Sequence, residues 1–275
     1  MKILVTGHKG FIGRNMMACL AQEEGWQVDG WEYDPHDLPN IIEYDWVIHL
    51  GAVADMSDTD VDKILVQNLE FSQWLFKECN THGVNLQYAS TSSVYGNTNN
   101  FAETDPCNPQ TPYAWSKYLF DRWVFQQEIN NIYVQGFRYF NVYGKYMHLR
   151  GARANAVYKW RQQARKQGKV TVWEGAEHIK RDWTYVGDVC RLHVDFIKTV
   201  NGSGIWNCGA GLAHSFLDIA EYIAEQEGVP IELEPIPMVE QQRMRTKTCA
   251  DLRHLKSTVG KRKWLNVYEW LDYEA

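Results

Sequence analysis

The chain opens on KILVTGHKGFIG, and this stretch restricts the fold more than any other. Residues 2–6 form a short apolar run of the kind that buries as a strand. From about Arg14 to Glu24, Met16, Met17, Leu20 and Ala21 recur at helical spacing. Between the two lie Gly7, Gly10 and Gly13, with Phe11 and Ile12 among them. A strand that turns into a helix through glycines brings backbone N–H groups close to a pyrophosphate, at the positive end of the helix. Glycine triplets also end strands for steric reasons alone. The weight here comes from the strand–turn–helix setting and from Glu32, about 20 residues on, where an acid can bind ribose hydroxyls. Asp34 is the alternative for that role. An acid there favours NAD, because it repels a 2′-phosphate, while Lys9 and Arg14 keep NADP open.

Downstream the pattern alternates. WQVDGWEYD and YDWVIHLGA read as strands, 61–80 as a helix, NLQYAS as a strand, 112–130 as a helix opened by Pro112, and IYVQGFRYFNVYG as a strand. Strands alternating with helices predict an α/β fold, a doubly wound parallel sheet of Rossmann type. Only about a dozen residues separate the second strand from DWVIHL, so that crossover is expected to be abbreviated. The expected division is a dinucleotide-binding domain over 1–145, to which 183–208 return, and a smaller, mainly substrate-binding domain over 146–275.

Composition removes other classes. A net charge of -6 supplies no basic field for nucleic acid. No apolar run approaches a membrane span, and the first is far too short for a signal peptide. Six cysteines without metal-ligand spacing read as reduced thiols in a cytoplasmic protein, and no metal is expected.

Two motifs carry the chemistry. YASTSSVYG places Ser90, Thr91, Ser92 and Ser93 at the end of an apolar run, and PYAWSK places Tyr113 and Lys117 four apart on one helical face. A lysine ammonium beside a phenol favours the phenolate. A lone Tyr-x-x-x-Lys pair is commonly structural, but this one follows a glycine-rich loop and a strand ending in hydroxyls.

With TGHKGFIG, VIHLGA, YASTSSVYG, PYAWSK, FRYFNVYG and RDWTYVGDV in this order, the chain resembles the extended short-chain dehydrogenase/reductases that act on nucleotide-sugars. Within them, FRYFNVYG, SKYLFD and EGAEHIKRDWTYVGDV are most similar to the ADP-heptose 6-epimerase branch. The resemblance implies Thr91 as the hydroxyl that orients the reacting oxygen, Tyr113 as acid/base and Lys117 as its electrostatic partner and ribose ligand. It implies Leu50, Gly51 and Ala52 beside the cofactor. Ser92, Ser93, Asn141, Arg150, Arg181 and Arg243 would face the substrate, with Arg245 in reserve for Arg243. Two arginine forks suit a diphosphate; paired to Asp182 and Glu240 they would instead be surface ion pairs.

Two departures matter. Family 4,6-dehydratases carry Asp and Glu where Ser92 and Ser93 stand, so water elimination is disfavoured. Where heptose epimerases carry a lysine proposed as second acid/base, Arg150 stands, and arginine stays protonated; His148 is nearby, most simply an exposed loop residue. The expected function is a nucleotide-sugar epimerase with a bound nicotinamide. The alternatives are a reductase or dehydrogenase with net redox, or a non-catalytic dinucleotide sensor. The family also implies a homodimer or higher homo-oligomer through helices 61–80 and 112–130, whose aromatics Trp74, Phe120 and Trp123 fit an interface or the core equally.

Overall fold

Strand β1 (Lys2–Thr6) is buried from Ile3 onward, as a continuous apolar run must be when helices cover both faces of a parallel sheet. The computed structural model describes residues 1–55, 58–98, 100–238 and 246–273. Strands β2 (Gln27–Trp31), β3 (Trp46–His49), β4 (Asn85–Thr91) and β5 (Val134–Tyr139) follow β1. Four short strands come next: β6 (Val142–Tyr143), β7 (Val170–Trp173), β8 (Lys180–Asp182) and β9 (Thr184–Tyr185). The chain then returns to the main sheet as β10 (Gly204–Cys208). That sheet has six strands in the order β10-β5-β4-β3-β1-β2, every neighbouring pair parallel. Strand order reverses at β1, so the carboxyl ends of β1 and β3 open a crevice, the usual ligand position in such sheets.

Helix α1 (Phe11–Leu20) starts earlier than its apolar spacing indicates, because Gly13 lies inside its first turn and Gly10 caps it. Residues 32–45 form turns with no helix or strand, and Ile41 fills the core there. The segment expected as one helix over 61–80 has three parts: α2 (Val61–Leu65), a π turn (Val66–Glu70) and α3 (Phe71–His82). Helix α3 stops at Gly83, whose φ is +72°. Helix α4 (Pro112–Val124) opens with the Thr111 hydroxyl accepting from Ala114 N–H at 3.2 Å. The single strand expected from 132 to 144 divides at Asn141: β5 stays in the main sheet, whereas β6 pairs with β9.

The second layer is built from α5 (Ala156–Gln167), α7 (Phe216–Glu227), β7 and β12 (Ile231–Glu234), packed around Trp160, Ile219, Ile223 and Trp270. A three-stranded sheet, β11 (Ala213–Ser215), β8 and β13 (Lys247–Thr248), adjoins it. Helix α6 (Val186–Thr199) packs on α1 and brings the chain back to β10. Two short helices, α8 (Arg253–Val259) and α9 (Val267–Tyr273), follow β13. No helix among the described residues is long and apolar enough to cross a membrane.

Candidate active site

The crevice is shaped by two glycines. Gly7 has φ +71°, and a Cβ on it would lie 2.6 Å from Gly51 Cα, so the ends of β1 and β3 approach this closely only because Gly7 carries no side chain. A Cβ on Gly13 would stand 2.1 Å from Gly7 O, which fixes how closely α1 lies under the loop. Gly7 N–H donates to Trp31 O at 2.8 Å and Gly10 N–H to Gly7 O at 3.1 Å. Gly10 brings no side chain to cap α1, leaving the helix N-terminus open to an anion. Phe11 is buried, while Ile12 and Leu50 are partly buried and pack against the same two core clusters.

Glu32 is more than a ribose ligand in waiting. Its Oε1 accepts from Lys9 N–H at 2.6 Å and lies 3.3 Å from His8 Nδ1, tying the glycine loop to the end of β2. Thr6, Gly7, Trp31, Tyr33, Gly51, Ala52, Gln67 and Phe71 line a narrow slot beside it. Trp31 stacks on Phe71 with ring centroids 5.2 Å apart, giving the slot an aromatic wall. A turn that a Cβ on Gly7 or Gly13 would block, an open helix N-terminus and an acid at the end of β2 fit a dinucleotide.

Thr91 ends β4 and caps a short 3₁₀ turn (Ser92–Tyr95), its Oγ1 accepting from Ser93 N–H at 3.1 Å. Tyr113, in the first turn of α4, sits beside the Thr91 side chain. Burial raises the Tyr113 pKa; the charge of Arg150 and the Thr91 hydrogen bond oppose it. Lys117, one turn on, is buried, and burial lowers its pKa to about 8 against the pull of Asp121. Arg150 comes from the 3₁₀ segment Met147–Arg153 and donates from Nη2 to Ala54 O at 3.3 Å. Burial lowers its pKa and the Tyr113 phenol raises it. A permanent cation therefore faces the phenol. His148 is exposed, its ring against Tyr146.

Ser92 is buried and Ser93 half-buried, so the lip of the site carries hydroxyls where a carboxylate pair would be needed for elimination. Asn141 Nδ2 lies 3.4 Å from Asp182 O and 3.3 Å from Thr248 Oγ1, at the junction of β5, β8 and β13. Arg181 on β8 places its guanidinium over the Phe216 ring at 5.4 Å. Asp182 is not its surface ion partner. It is fully buried and takes amide N–H groups from Ala210 (2.8 Å), Gly211 (2.9 Å) and Ala250 (2.9 Å). Burial outweighs these three donors and pushes its pKa up to about 6. Arg243, with Arg245 and Glu240, lies outside the described residues.

Sequence reasoning missed what stands behind these groups. Asp121, fully buried on α4, accepts from Ser90 Oγ at 2.9 Å and from Arg138 Nε at 3.1 Å. Ser90 precedes Thr91, and Arg138 lies on the strand leading to Asn141, so one carboxylate braces three parts of the site. The signal was present: Asp121 follows Lys117 at helical spacing. For Phe120 the core alternative holds. It is 2% exposed, edge-on to Tyr88 at 4.9 Å, and belongs to the core; Trp74 and Trp123 pack against the same cluster.

A dinucleotide cradle at the reversal of strand order, beside a Thr–Tyr–Lys group, defines a nucleotide-dependent enzyme of the Rossmann class. Residues 3–209 match the NAD dependent epimerase/dehydratase family, and the chain belongs to it. An ADP-L-glycero-D-manno-heptose-6-epimerase of Brachyspira hyodysenteriae is 34% identical over 227 residues, 80% of this chain and 71% of that protein. The crystal structure of the Helicobacter pylori enzyme of the same name superposes with a TM-score of 0.88 at 23% identity, covering 99% of this chain and 95% of that one. The Thermus thermophilus UDP-glucose 4-epimerase in complex with NAD gives 0.78 at 26% identity, covering 94% and 92%.

Proposed function

We propose that the protein is a nucleotide-sugar epimerase that oxidises and re-reduces one carbon of its substrate, with an ADP-heptose as the substrate class. The observation that carries this is the meeting of the Thr91 hydroxyl, the Tyr113 phenol and the Arg150 charge, with serines at 92 and 93. The family takes in epimerases and dehydratases, and elimination needs a proton shuttle that a serine does not provide. Gly7, Gly10, Phe11, Ile12, Gly13, Glu32, Leu50, Gly51, Ala52 and Lys117 would hold NAD, whose nicotinamide supplies a reversible hydride acceptor.

Tyr113 takes the proton from the substrate hydroxyl as that carbon is oxidised and returns it on re-reduction. Thr91 orients the oxygen, and Lys117 and Arg150 stabilise negative charge on the phenol and on the carbonyl oxygen. Asn141, Arg181 and Arg243 hold the sugar and diphosphate. NAD is preferred to NADP because Glu32 closes the end of β2. A thermal-shift panel of ADP-, UDP- and GDP-sugars with NAD and NADP tests the assignment. Stabilisation by an ADP-heptose with NAD is expected, and a response to UDP- or GDP-sugars alone would reject the substrate. Mass spectrometry of the purified protein separates the alternative: NAD retained through purification accords with epimerisation, an empty site with net redox.

Exposed Trp115 and Leu119 on α4, with Val61 and Val66 on the neighbouring α2 and π turn, form an apolar face suited to a homodimer. Free cysteines and this substrate class support a cytoplasmic location.

A further inference from the structure

A buried file of side chains joins the cradle to the catalytic helix. Thr6 and His49 end β1 and β3, and Thr6 Oγ1 lies 2.6 Å from His49 Nδ1. The other ring nitrogen, Nε2, is 2.9 Å from Ser72 Oγ on α3. Ser72 donates to Asn68 O in the π turn at 2.6 Å. The Asn68 side chain holds both backbone groups of Val53, accepting from its N–H at 2.8 Å and donating to its carbonyl at 3.0 Å. It also donates to Ser116 Oγ at 3.1 Å, and Ser116 donates to the carbonyl of Tyr113 at 2.8 Å. Thr6, His49, Asn68, Ser72 and Ser116 are each at most 1% exposed.

Counting protons fixes the direction of the file. A hydroxyl has one proton, and Ser72 has given its own to a carbonyl, so it must accept from His49 Nε2–H. His49 Nδ1 is then unprotonated and accepts from Thr6, whose Oγ1 in turn accepts from Gly51 N–H at 3.3 Å. Only the neutral Nε2–H imidazole satisfies both sides. We propose that His49 is a positioning residue that locks the cofactor cradle at Gly7 and Gly51 to the π turn, and through it to the backbone that carries Tyr113. Burial, and next the charge of Lys117, push the His49 pKa down to about 3, and Phe71 packs edge-on at 5.6 Å, so the ring stays neutral. The π turn follows from the same wiring: with Asn68 pulled toward Val53 and Ser116, Phe71 N–H bonds back to Val66 O.

The proposal rests on the dinucleotide site and the Tyr113 chemistry proposed above, and its test has an arm that needs neither. Nitrogen-15 NMR of the imidazole should show an Nε2–H tautomer that does not titrate between about pH 5 and 8; a proton on Nδ1, or a titrating ring, overturns the proposal. His49→Gln retains an amide donor toward Ser72 and loses Thr6. It should weaken NAD binding about tenfold while kcat at saturating NAD stays within about twofold. His49→Asn retains an acceptor for Thr6 and loses Ser72. It should lower kcat about tenfold with NAD affinity within about threefold. Should either ring replacement fail to fold, Thr6→Val and Ser72→Ala cut the same two links singly and should give the same split. Equal loss of affinity and kcat in both variants, or no change in either, would reduce His49 to a core residue. A wild-type protein that neither binds NAD nor turns over would fail the functional reading, while the tautomer still reports on the wiring.

Discussion

Asp121→Asn is the most demanding perturbation of the site, because it touches stability and chemistry at once. Asp121 and Arg138 are 0% and 3% exposed, and the Oδ2–Nε distance is 3.1 Å. Removing one charge of a buried pair leaves the other uncompensated, at a cost of about 3–5 kcal/mol. For a chain of this size that lowers Tm on the order of 10 °C. The same substitution acts on Lys117, whose pKa of about 8 is set by burial and held up by Asp121. In the proposed mechanism the working form is the ammonium, so wild-type kcat should be full below about pH 8 and should fall as pH rises through it. Without Asp121 that limb moves to lower pH, by about one unit or more. No other acid acts on Lys117 to compensate, and the neighbouring His49 is neutral. The assay is a kcat–pH profile beside a thermal melt, repeated on Asp121→Asn combined with Arg138→Met. The double variant removes the orphaned cation and should recover most of the lost Tm, yet keep the displaced limb. If it also restores the wild-type profile, the shift came from instability and the role given to Asp121 is wrong.

Other outcomes follow from the same structure. Gly13→Ala sets a Cβ 2.1 Å from a backbone oxygen and should weaken NAD binding at least about tenfold in a calorimetric titration, with the fold intact by circular dichroism. Tyr113→Phe should lower kcat by about 10²–10⁴ without loss of bound substrate, and full turnover would remove Tyr113 from the mechanism. Leu119→Glu, at a position 39% exposed, should shift sedimentation from dimer to monomer and leave the melting temperature within a few degrees.

How much of this was legible depended on whether a feature was local. Strands β1 and β3 are short apolar runs, the glycine cradle is a spacing, and Tyr113 and Lys117 share a helical face by a rule of four. Each could be read in one window of sequence. The start of α1 could not, because its first turn contains Gly13, which looks like loop. The π turn was hidden because Asn68 is pulled by partners at 53 and 116. Asp182 resembled an ordinary surface acid in RDW until three amides from residues 210, 211 and 250 converged on it. For Phe120, interface and core stayed equally open, since helical spacing alone does not say which neighbour covers a face. Arg150 reaches Tyr113 only through a 3₁₀ segment whose path no periodicity reports.

The measurement closest to the central claim is proton NMR of an ADP-heptose incubated with the purified protein and no added cofactor, with nicotinamide absorbance followed in the same sample. Growth of the other 6-epimer toward a fixed ratio, with no net NADH formed or consumed, is the result the mechanism requires. Reduced cofactor accumulating in proportion to product, or a product lighter by one water, would contradict it.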